Sequence, residues 1–188
     1  VVLYLRLDVI LLGLFGRTAE AGAYGVAFSL AMALETIAAS ISTVLFPKVS
    51  GFKTRRQYTE YVTKVVKYGS VLITLGGVVG FFAAPLIVPL FGSNYSGSVQ
   101  LFRILYVGSL MTLIVYPMAI VLFSLDLPHY LTVLDSCILL LSLAGNILLI
   151  PLYGSLGAAC VALATKIVIA VVVISTLFIK ITRMREAI

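Results

Sequence analysis

Long apolar stretches alternate with short polar connections along this chain of 188 residues. A helix needs roughly 20 residues to cross the bilayer core. Five stretches reach that length, at residues 23–46, 68–90, 101–125, 130–150 and 156–179. A further apolar stretch, residues 1–15, would span only about 22 Å at 1.5 Å per residue, so we expect its helix to be cut short and the chain to belong to a longer protein. The pattern predicts an all-α bundle of six transmembrane helices, the first of them truncated.

One polar segment interrupts this pattern. Residues 45–67 hold six of the thirteen Lys and Arg residues and a single acid, Glu60. Thr54 and Gln57 have the spacing of a capping box, which marks the start of a helix. Apolar positions then repeat at helical spacing opposite the basic ones, at Tyr58, Tyr61, Val62 and Val65. We therefore expect a short amphipathic helix in the basic segment at 47–67, lying at the membrane interface.

Composition excludes an ordinary soluble domain. The mean hydropathy is +1.19, and 62% of the residues are hydrophobic while 11% are charged. A net charge of +6 could indicate nucleic acid, but the basic residues concentrate beside apolar spans. Membrane topology and anionic lipid headgroups explain that placement better, so we expect membrane lipids and no nucleic acid as partners. Cys137 and Cys160 lie within apolar stretches and are interpreted as small lipophilic side chains.

The connections between the spans differ sharply in positive charge. Those on one side carry nine Lys and Arg residues, and those on the other side carry one. The first set comprises residues 47–67, 126–129 and 180–188, and the second comprises residues 16–22, 91–99 and 151–155. Because cytoplasmic loops carry the excess of Lys and Arg, the basic segment and the C-terminus are predicted to be cytoplasmic in a multi-pass protein of the cell membrane.

Two features of the spans predict how the helices pack. The third span carries Gly69, Gly76, Gly77 and Gly80, which supply a surface of small residues for a neighbouring helix. Pro117 lies inside the fourth span, where it is expected to kink the helix and leave a carbonyl for a neighbour or water to satisfy.

Polar and ionisable residues inside the spans are the candidate functional residues, because such residues are costly in a bilayer unless they face a cavity or a partner. They are Arg6, Asp8, Glu35, Asp135, Asn146 and Lys166. Asp135, Ser142 and Asn146 recur at helical spacing and form one polar stripe, although Asp135 lies near the helix end and could simply be solvated. Arg103 lies near the outer end of its helix, where snorkelling towards the surface is favoured.

Several roles remain open for these residues. Arg6 and Asp8 are about 200° apart on their helix, so they cannot point at one spot. Arg6 either faces a cavity or snorkels, whereas Asp8 is too short to reach the surface and is expected inside the bundle. Glu35 is interpreted as a cavity-facing carboxylate, with an ion pair to a neighbouring helix as the alternative. Lys166 shares its face with small residues, so it points into the bundle, where it meets a phosphate or sugar, or pairs with Glu35 or Asp8.

Several motifs, taken in order, resemble a known family. They are DVILLGLFG in the first helix, GAYGVAFSL and STVLFPKVS at the two ends of the second, APLIVPLFGSNYSGSV after the third, and NILLIPLYGSLGAACVALAT joining the last two. The chain thereby resembles, over residues 7–180, the C-terminal half of polysaccharide flippases of the multidrug/oligosaccharidyl-lipid/polysaccharide exporter superfamily. The resemblance implies a two-lobed alternating-access transporter of polyprenyl-linked oligosaccharides, of which this chain is one lobe. Its partner would be an N-terminal six-helix lobe.

The residues themselves favour transport over catalysis. His129 has no zinc-ligand or triad spacing around it, and no Gly-rich loop has the setting of a phosphate-binding motif. We therefore expect no enzyme activity, no cofactor and no bound metal, apart from a coupling cation of unknown identity. The leading hypothesis is a lobe of a flippase for lipid-linked oligosaccharide. The alternatives are a cation-coupled drug or small-molecule antiporter and a structural membrane domain without transport.

Overall fold

The computed structural model describes residues 7–92, 95–125 and 127–184. This part of the chain is all-α and contains no strand. Seven helices follow one another: α1 (Leu7–Leu14), α2 (Thr18–Ser50), α3 (Arg55–Ala83), α4 (Ile87–Phe91), α5 (Ser96–Ser124), α6 (Pro128–Tyr153) and α7 (Ser155–Arg183). A 3₁₀ turn, Ala84–Leu86, joins α3 to α4. The predicted fold class, an all-α polytopic membrane bundle, is confirmed.

Five of the described helical segments are long and apolar enough to cross a membrane: Thr18–Ser50, Arg55–Phe91, Ser96–Ser124, His129–Tyr153 and Ser155–Arg183. The segments are longer than predicted because three expected boundaries lie inside helices. Pro47 and Pro151 are both helical, so α2 continues into the basic segment and α6 extends to Tyr153. The predicted polar turn at residues 16–22 is mostly the first turn of α2, which begins at Thr18.

The predicted interfacial helix in the basic segment is wrong as a separate element. The capping box is present, because the Thr54 side chain accepts from the Gln57 backbone and the Gln57 side chain accepts from the Thr54 backbone. The helix that starts there, however, continues without a break as α3. Its apolar positions Tyr58 and Tyr61 are buried against the protein rather than against lipid. The same periodicity that suits a membrane surface also suits packing against α5 and its neighbours.

Helix α5 lies at the centre of the bundle. It packs against α2, α3 and α7, and 56% of its most apolar stretch is buried, against 17% for the stretches in α3 and α6. The remaining helices expose many large apolar side chains, as expected where lipid is the solvent. Helix α5 therefore provides the packing surface that α2, α3 and α7 share.

The glycine face of α3 allows its close approach to α5, as predicted. A Cβ on Gly76 would lie 2.8 Å from Cδ2 of Leu110, and a Cβ on Gly80 would overlap the ring of Tyr106. The Tyr106 hydroxyl donates to the Gly76 carbonyl at 3.0 Å, which ties the two helices together. Gly77, one position off this face, has a neighbour only at van der Waals distance. Pro117 lies inside α5, and the Tyr61 hydroxyl of α3 donates to its carbonyl at 3.1 Å.

Polar contacts also fix the turn between α6 and α7. This turn is a single residue, Gly154, with a positive φ of 61° that favours glycine. Glu20 of α2 accepts a hydrogen bond from the Ser155 backbone N–H at 2.7 Å, so it caps the start of α7. Arg17 pairs with Glu20 at 2.8 Å and donates to the Pro151 carbonyl at 3.1 Å. The α1–α2 connection and the α6–α7 turn are thereby held together.

Two apolar clusters make up most of the core. One surrounds Leu12, Tyr24 and Phe102 near the α6–α7 turn, and the other surrounds Val49, Tyr58 and Leu122 near the basic segment. Glu35 and Lys166 belong to neither cluster.

Candidate functional site: a charged cavity within the helix bundle

Glu35 reaches the protein interior because it belongs to the buried face of α2. Small and aromatic residues repeat along that face every three or four positions, and Glu35 takes one of those positions; the face comprises Tyr24, Ala27, Ala31, Glu35, Ala38 and Ser42. Thr36, Ser40 and Thr43 lie outside this buried face. Their side chains are exposed, and each hydroxyl donates to a carbonyl one turn earlier in α2.

Lys166 of α7 and Glu35 of α2 form an ion pair, with the lysine Nζ 2.6 Å from Oε1 of the carboxylate. The two side chains are 23% and 9% exposed, respectively. Two hydroxyl groups of α5 complete the arrangement. Ser109 donates to the same carboxylate oxygen at 2.8 Å, and Tyr116 donates to Oε2 at 3.4 Å. Three helices therefore meet at one carboxylate, and the ion pair that the sequence left as an alternative is present.

Asp8 of α1 lies near this pair. Its carboxylate accepts a hydrogen bond from the hydroxyl of Tyr24 at 2.5 Å, and Tyr24 is fully buried. Asp8 and Lys166 line the same cavity. The ammonium group therefore contacts one carboxylate and shares the cavity with a second.

The polar stripe predicted on α6 is present but divides between two environments. Asp135 and Ser142 line the cavity described below, and Asp135 is exposed. Asn146 is 1% exposed, lies outside the cavity lining and donates from Nδ2 to the Ser142 hydroxyl at 3.3 Å. Its Oδ1 has no hydrogen-bond partner within the described part of the chain. Asn146 is thereby linked to the cavity only through Ser142.

Asp8, Glu35, Asp135 and Lys166 line a cavity of about 380 Å³ between α1, α2, α5, α6 and α7. Most of its wall is apolar, with side chains such as Phe28, Val115 and Ile169. Among described residues, its charged lining consists of Asp8, Glu35, Asp135 and Lys166. Three carboxylates and one ammonium group therefore line one cavity of the helix bundle.

Arg6 and Arg103 are the two remaining basic residues considered in the sequence, and only Arg103 lies among the described residues. Arg6 lies outside the described residues, so its choice between cavity and snorkelling stays a prediction. Arg103 is exposed on α5 and does not line the cavity. Its guanidinium lies over the ring of Phe81, 5.2 Å from the ring centroid, which is a cation–π contact.

Sequence reasoning missed the α5 contribution to the site. Ser109, Thr112 and Tyr116 lie on consecutive turns of α5, and their spacing was a visible signal of a polar stripe. Ser109 is 1% exposed and Thr112 is 5% exposed, and the Thr112 hydroxyl donates to the Ser109 carbonyl. Hydroxyl-bearing residues are common in membrane helices, so this stripe alone does not indicate a site. Its role follows from the position of Glu35 opposite it.

The charged side chains of the cavity could bind ions or charged ligands. Within residues 7–92, 95–125 and 127–184, no group of three His, Cys, Asp or Glu side chains could hold a metal ion. The charges lie in a cavity surrounded by helices that are long enough to cross a membrane. Such charges mark pathways for substrates or ions in membrane proteins. The fold and site together define a multi-pass membrane protein with a charged internal cavity.

Comparison with known families agrees with that class. A model of a family described as polysaccharide biosynthesis protein matches residues 1–100, more than half of the chain. The chain belongs to this polysaccharide biosynthesis protein family. No curated protein and no solved structure gives a significant match. The matched residues include Asp8 and Glu35, whereas Asp135, Asn146 and Lys166 lie beyond them.

Proposed function

We propose that the chain forms one lobe of a transporter that flips polyprenyl-linked oligosaccharide across the cell membrane by alternating access. The observation that carries the proposal is the ion pair of Glu35 and Lys166 in a cavity within a membrane bundle of a polysaccharide biosynthesis family. Lys166 would bind the phosphate groups of the substrate as a point charge. Asp8 and Asp135 would accept hydrogen bonds from sugar hydroxyls, while the prenyl chain stays in lipid.

The rest of the proposal concerns the surroundings of this lobe. A second six-helix lobe, joined N-terminally to this one, would form the other wall of the substrate path. The basic segment would face the cytoplasm, where its exposed Lys48, Lys53 and Arg56 meet anionic headgroups. No cofactor takes part, and an ion gradient or consumption of the product would supply the energy.

The test uses the full-length protein with both charges of the pair removed together. Glu35→Gln with Lys166→Gln removes both charges of the ion pair, so neither partner is left unpaired and the double variant should fold. We expect surface polysaccharide to fall at least tenfold while the lipid-linked precursor accumulates in the cytoplasmic leaflet. Cys160→Ala on the same helix is the matched control, because Cys160 is exposed and does not line the cavity.

Normal surface polysaccharide in the double variant, at normal protein levels, would contradict a transport role for the pair. Loss of polysaccharide without accumulation of the precursor would place the defect upstream of flipping. Equal losses in the Cys160→Ala control would point to a general structural defect in α7 instead.

One observation favours a second candidate, a cation-coupled antiporter of small molecules. Carboxylates outnumber basic groups by three to one among the described charged residues of the cavity. Such a cavity attracts cationic ligands. Export of cationic dyes by the full-length protein, abolished by Asp8→Asn or Asp135→Asn, would favour the antiporter over the flippase.

A further inference from the structure

Lys166, the cation proposed to bind an anionic substrate, is already paired with a carboxylate. Lys166 donates to Glu35 at 2.6 Å, and Glu35 also holds Ser109 at 2.8 Å. A phosphate group that enters the cavity therefore has to compete with a carboxylate for the same ammonium group. Binding is an exchange of partners rather than the occupation of a vacant site.

The exchange leaves a problem at Glu35. A buried carboxylate that loses its cationic partner keeps its desolvation cost with no opposite charge to offset it. The two hydroxyl donors, Ser109 and Tyr116, are neutral, so they satisfy hydrogen bonds without cancelling the charge. Groups in this position neutralise themselves by taking up a proton.

The charges on the neighbouring helices strengthen this argument. Helices α1, α5 and α7 pack against α2, and they face Glu35 with Asp8, Tyr116 and Lys166, respectively. Helix α6 adds Asp135 to the same cavity. With a bound phosphate, three or more negative groups would surround one ammonium group. One proton added to Glu35, which has lost its partner Lys166, neutralises its negative charge.

We infer that Lys166 changes partner from Glu35 to the ligand's phosphate, and that Glu35 takes up one proton as it does so. The inference rests on the proposed function, since it takes a phosphate-bearing lipid as the ligand. The proton comes from hydronium or a protonated buffer in the water that reaches the cavity, so the donor's bond to hydrogen breaks as an O–H bond forms on the Glu35 carboxylate. Lys166 keeps its own proton throughout, and nothing is oxidised or reduced. Binding one phosphate ester is thereby linked to the uptake of one proton.

Linkage gives the direction of the pH effect. When the protein takes up a proton as it binds a ligand, the affinity for that ligand falls as the pH rises. Where Glu35 is ionised in the free protein and protonated in the complex, affinity should fall about tenfold per pH unit. Outside that range affinity should level off. A lysine that lost its own proton would also weaken binding as the pH rises, so the variants at Glu35 have to separate the two causes.

The experiment uses purified full-length protein in lipid nanodiscs and farnesyl diphosphoglucose as the probe. Both phosphates of this probe are esterified, so its charge is constant over the pH series. Binding calorimetry in buffers of different ionisation enthalpy should count one proton taken up per probe bound. Glu35→Gln should remove the proton uptake and bind at every pH about as tightly as the unmodified protein does at low pH. Lys166→Gln should lose at least tenfold in affinity.

Cys160→Ala is the matched control, because Cys160 is exposed on α7 and does not line the cavity. It should keep the proton uptake, as should Asp8→Asn. Loss of proton uptake in Asp8→Asn with retention in Glu35→Gln would overturn the inference and assign the proton to Asp8. An affinity that follows sodium concentration at constant pH, with no proton taken up, would also overturn it.

The possible failures are distinguishable. Binding of the probe without proton uptake overturns the exchange and leaves the proposed function standing. No binding at any pH overturns both, because the phosphate-bearing ligand itself is then wrong. If Glu35→Gln does not fold, a count of zero protons on the unmodified protein still overturns the exchange, and loss of the proton uptake in Asp8→Asn still assigns the proton to Asp8.

Discussion

Lys166 is the basic group of the cavity among the described residues, and its position restricts what the cavity can bind. Its stem packs against α5, since a Cβ on Gly108 would lie 2.9 Å from the lysine Cδ. The ammonium group is therefore placed by packing as well as by Glu35. A larger residue at Gly108 would displace the stem and weaken the ion pair.

Tyr24 supports the second carboxylate of the cavity. Its hydroxyl is fully buried and donates to Asp8, so Tyr24→Phe would leave that carboxylate without this donor. Hydrogen bonds to charged groups contribute about 1.5–3 kcal/mol. We expect Tyr24→Phe to lower the free energy of unfolding by about that amount, measured by steric trapping in bicelles. Tyr68→Phe is the control, because Tyr68 is 63% exposed and should change stability little. Equal effects in the two variants would contradict the role of Tyr24.

The candidate residues could be selected from the sequence, but their partners could not. Charge inside an apolar stretch singled out Glu35, Lys166 and Asp8, because a bilayer makes each of them costly. Which group satisfies each charge depends on how helices far apart in the chain rotate and pack. The Tyr24–Asp8 hydrogen bond and the pairing of Ser109 with Glu35 follow from that packing, so the sequence pattern did not identify either pair of partners.

At the scale of helices, the contact between α3 and α5 depends on where glycine occurs. Gly80 faces the Tyr106 ring, whereas Gly77 lies beside the contact with Leu110 3.9 Å away. Gly80→Ala should destabilise the protein by about 1–3 kcal/mol through overpacking. Gly77→Ala should be neutral or stabilise it by up to about 1 kcal/mol, because alanine favours the helix. Thermal unfolding in detergent compares the two, and similar shifts of the same sign would contradict the proposed contact.

The sequence predicted where the long helices lie, but it did not predict where they end. Apolar runs of about 20 residues located each span correctly. The ends failed because Pro47, Pro151 and the basic segment read as boundaries in the sequence but are helical in the structure. Pro47 and Pro151 lie in the last turn of their helices, so each removes one hydrogen bond and few helical residues follow it. Exposed basic residues favour the helix and extend it into water at little cost.

At the scale of the whole molecule, the distribution of positive charge predicts an orientation that labelling can test. In a Cys137→Ser, Cys160→Ser background, single cysteines at Lys53 and Tyr153 would report opposite ends of the bundle. Both positions are exposed. A membrane-impermeant maleimide should label Tyr153→Cys in intact cells and Lys53→Cys only after the cells are broken. The reverse pattern would show that the basic segment faces outward.

The Glu35–Lys166 pair also has a consequence for how the protein is made. The two residues are 131 positions apart, so at 5–20 residues per second Glu35 is synthesised roughly 7–26 s before Lys166. During that delay α2 carries an ionisable group into the membrane with no partner to pair with. An unpaired charge at a helix centre costs about 2.5–3.5 kcal/mol on insertion scales. Helix α2 therefore has to stay with the insertion machinery until α7 arrives. Variants that remove Lys166 alone should consequently reduce the yield of inserted protein before any question of activity arises.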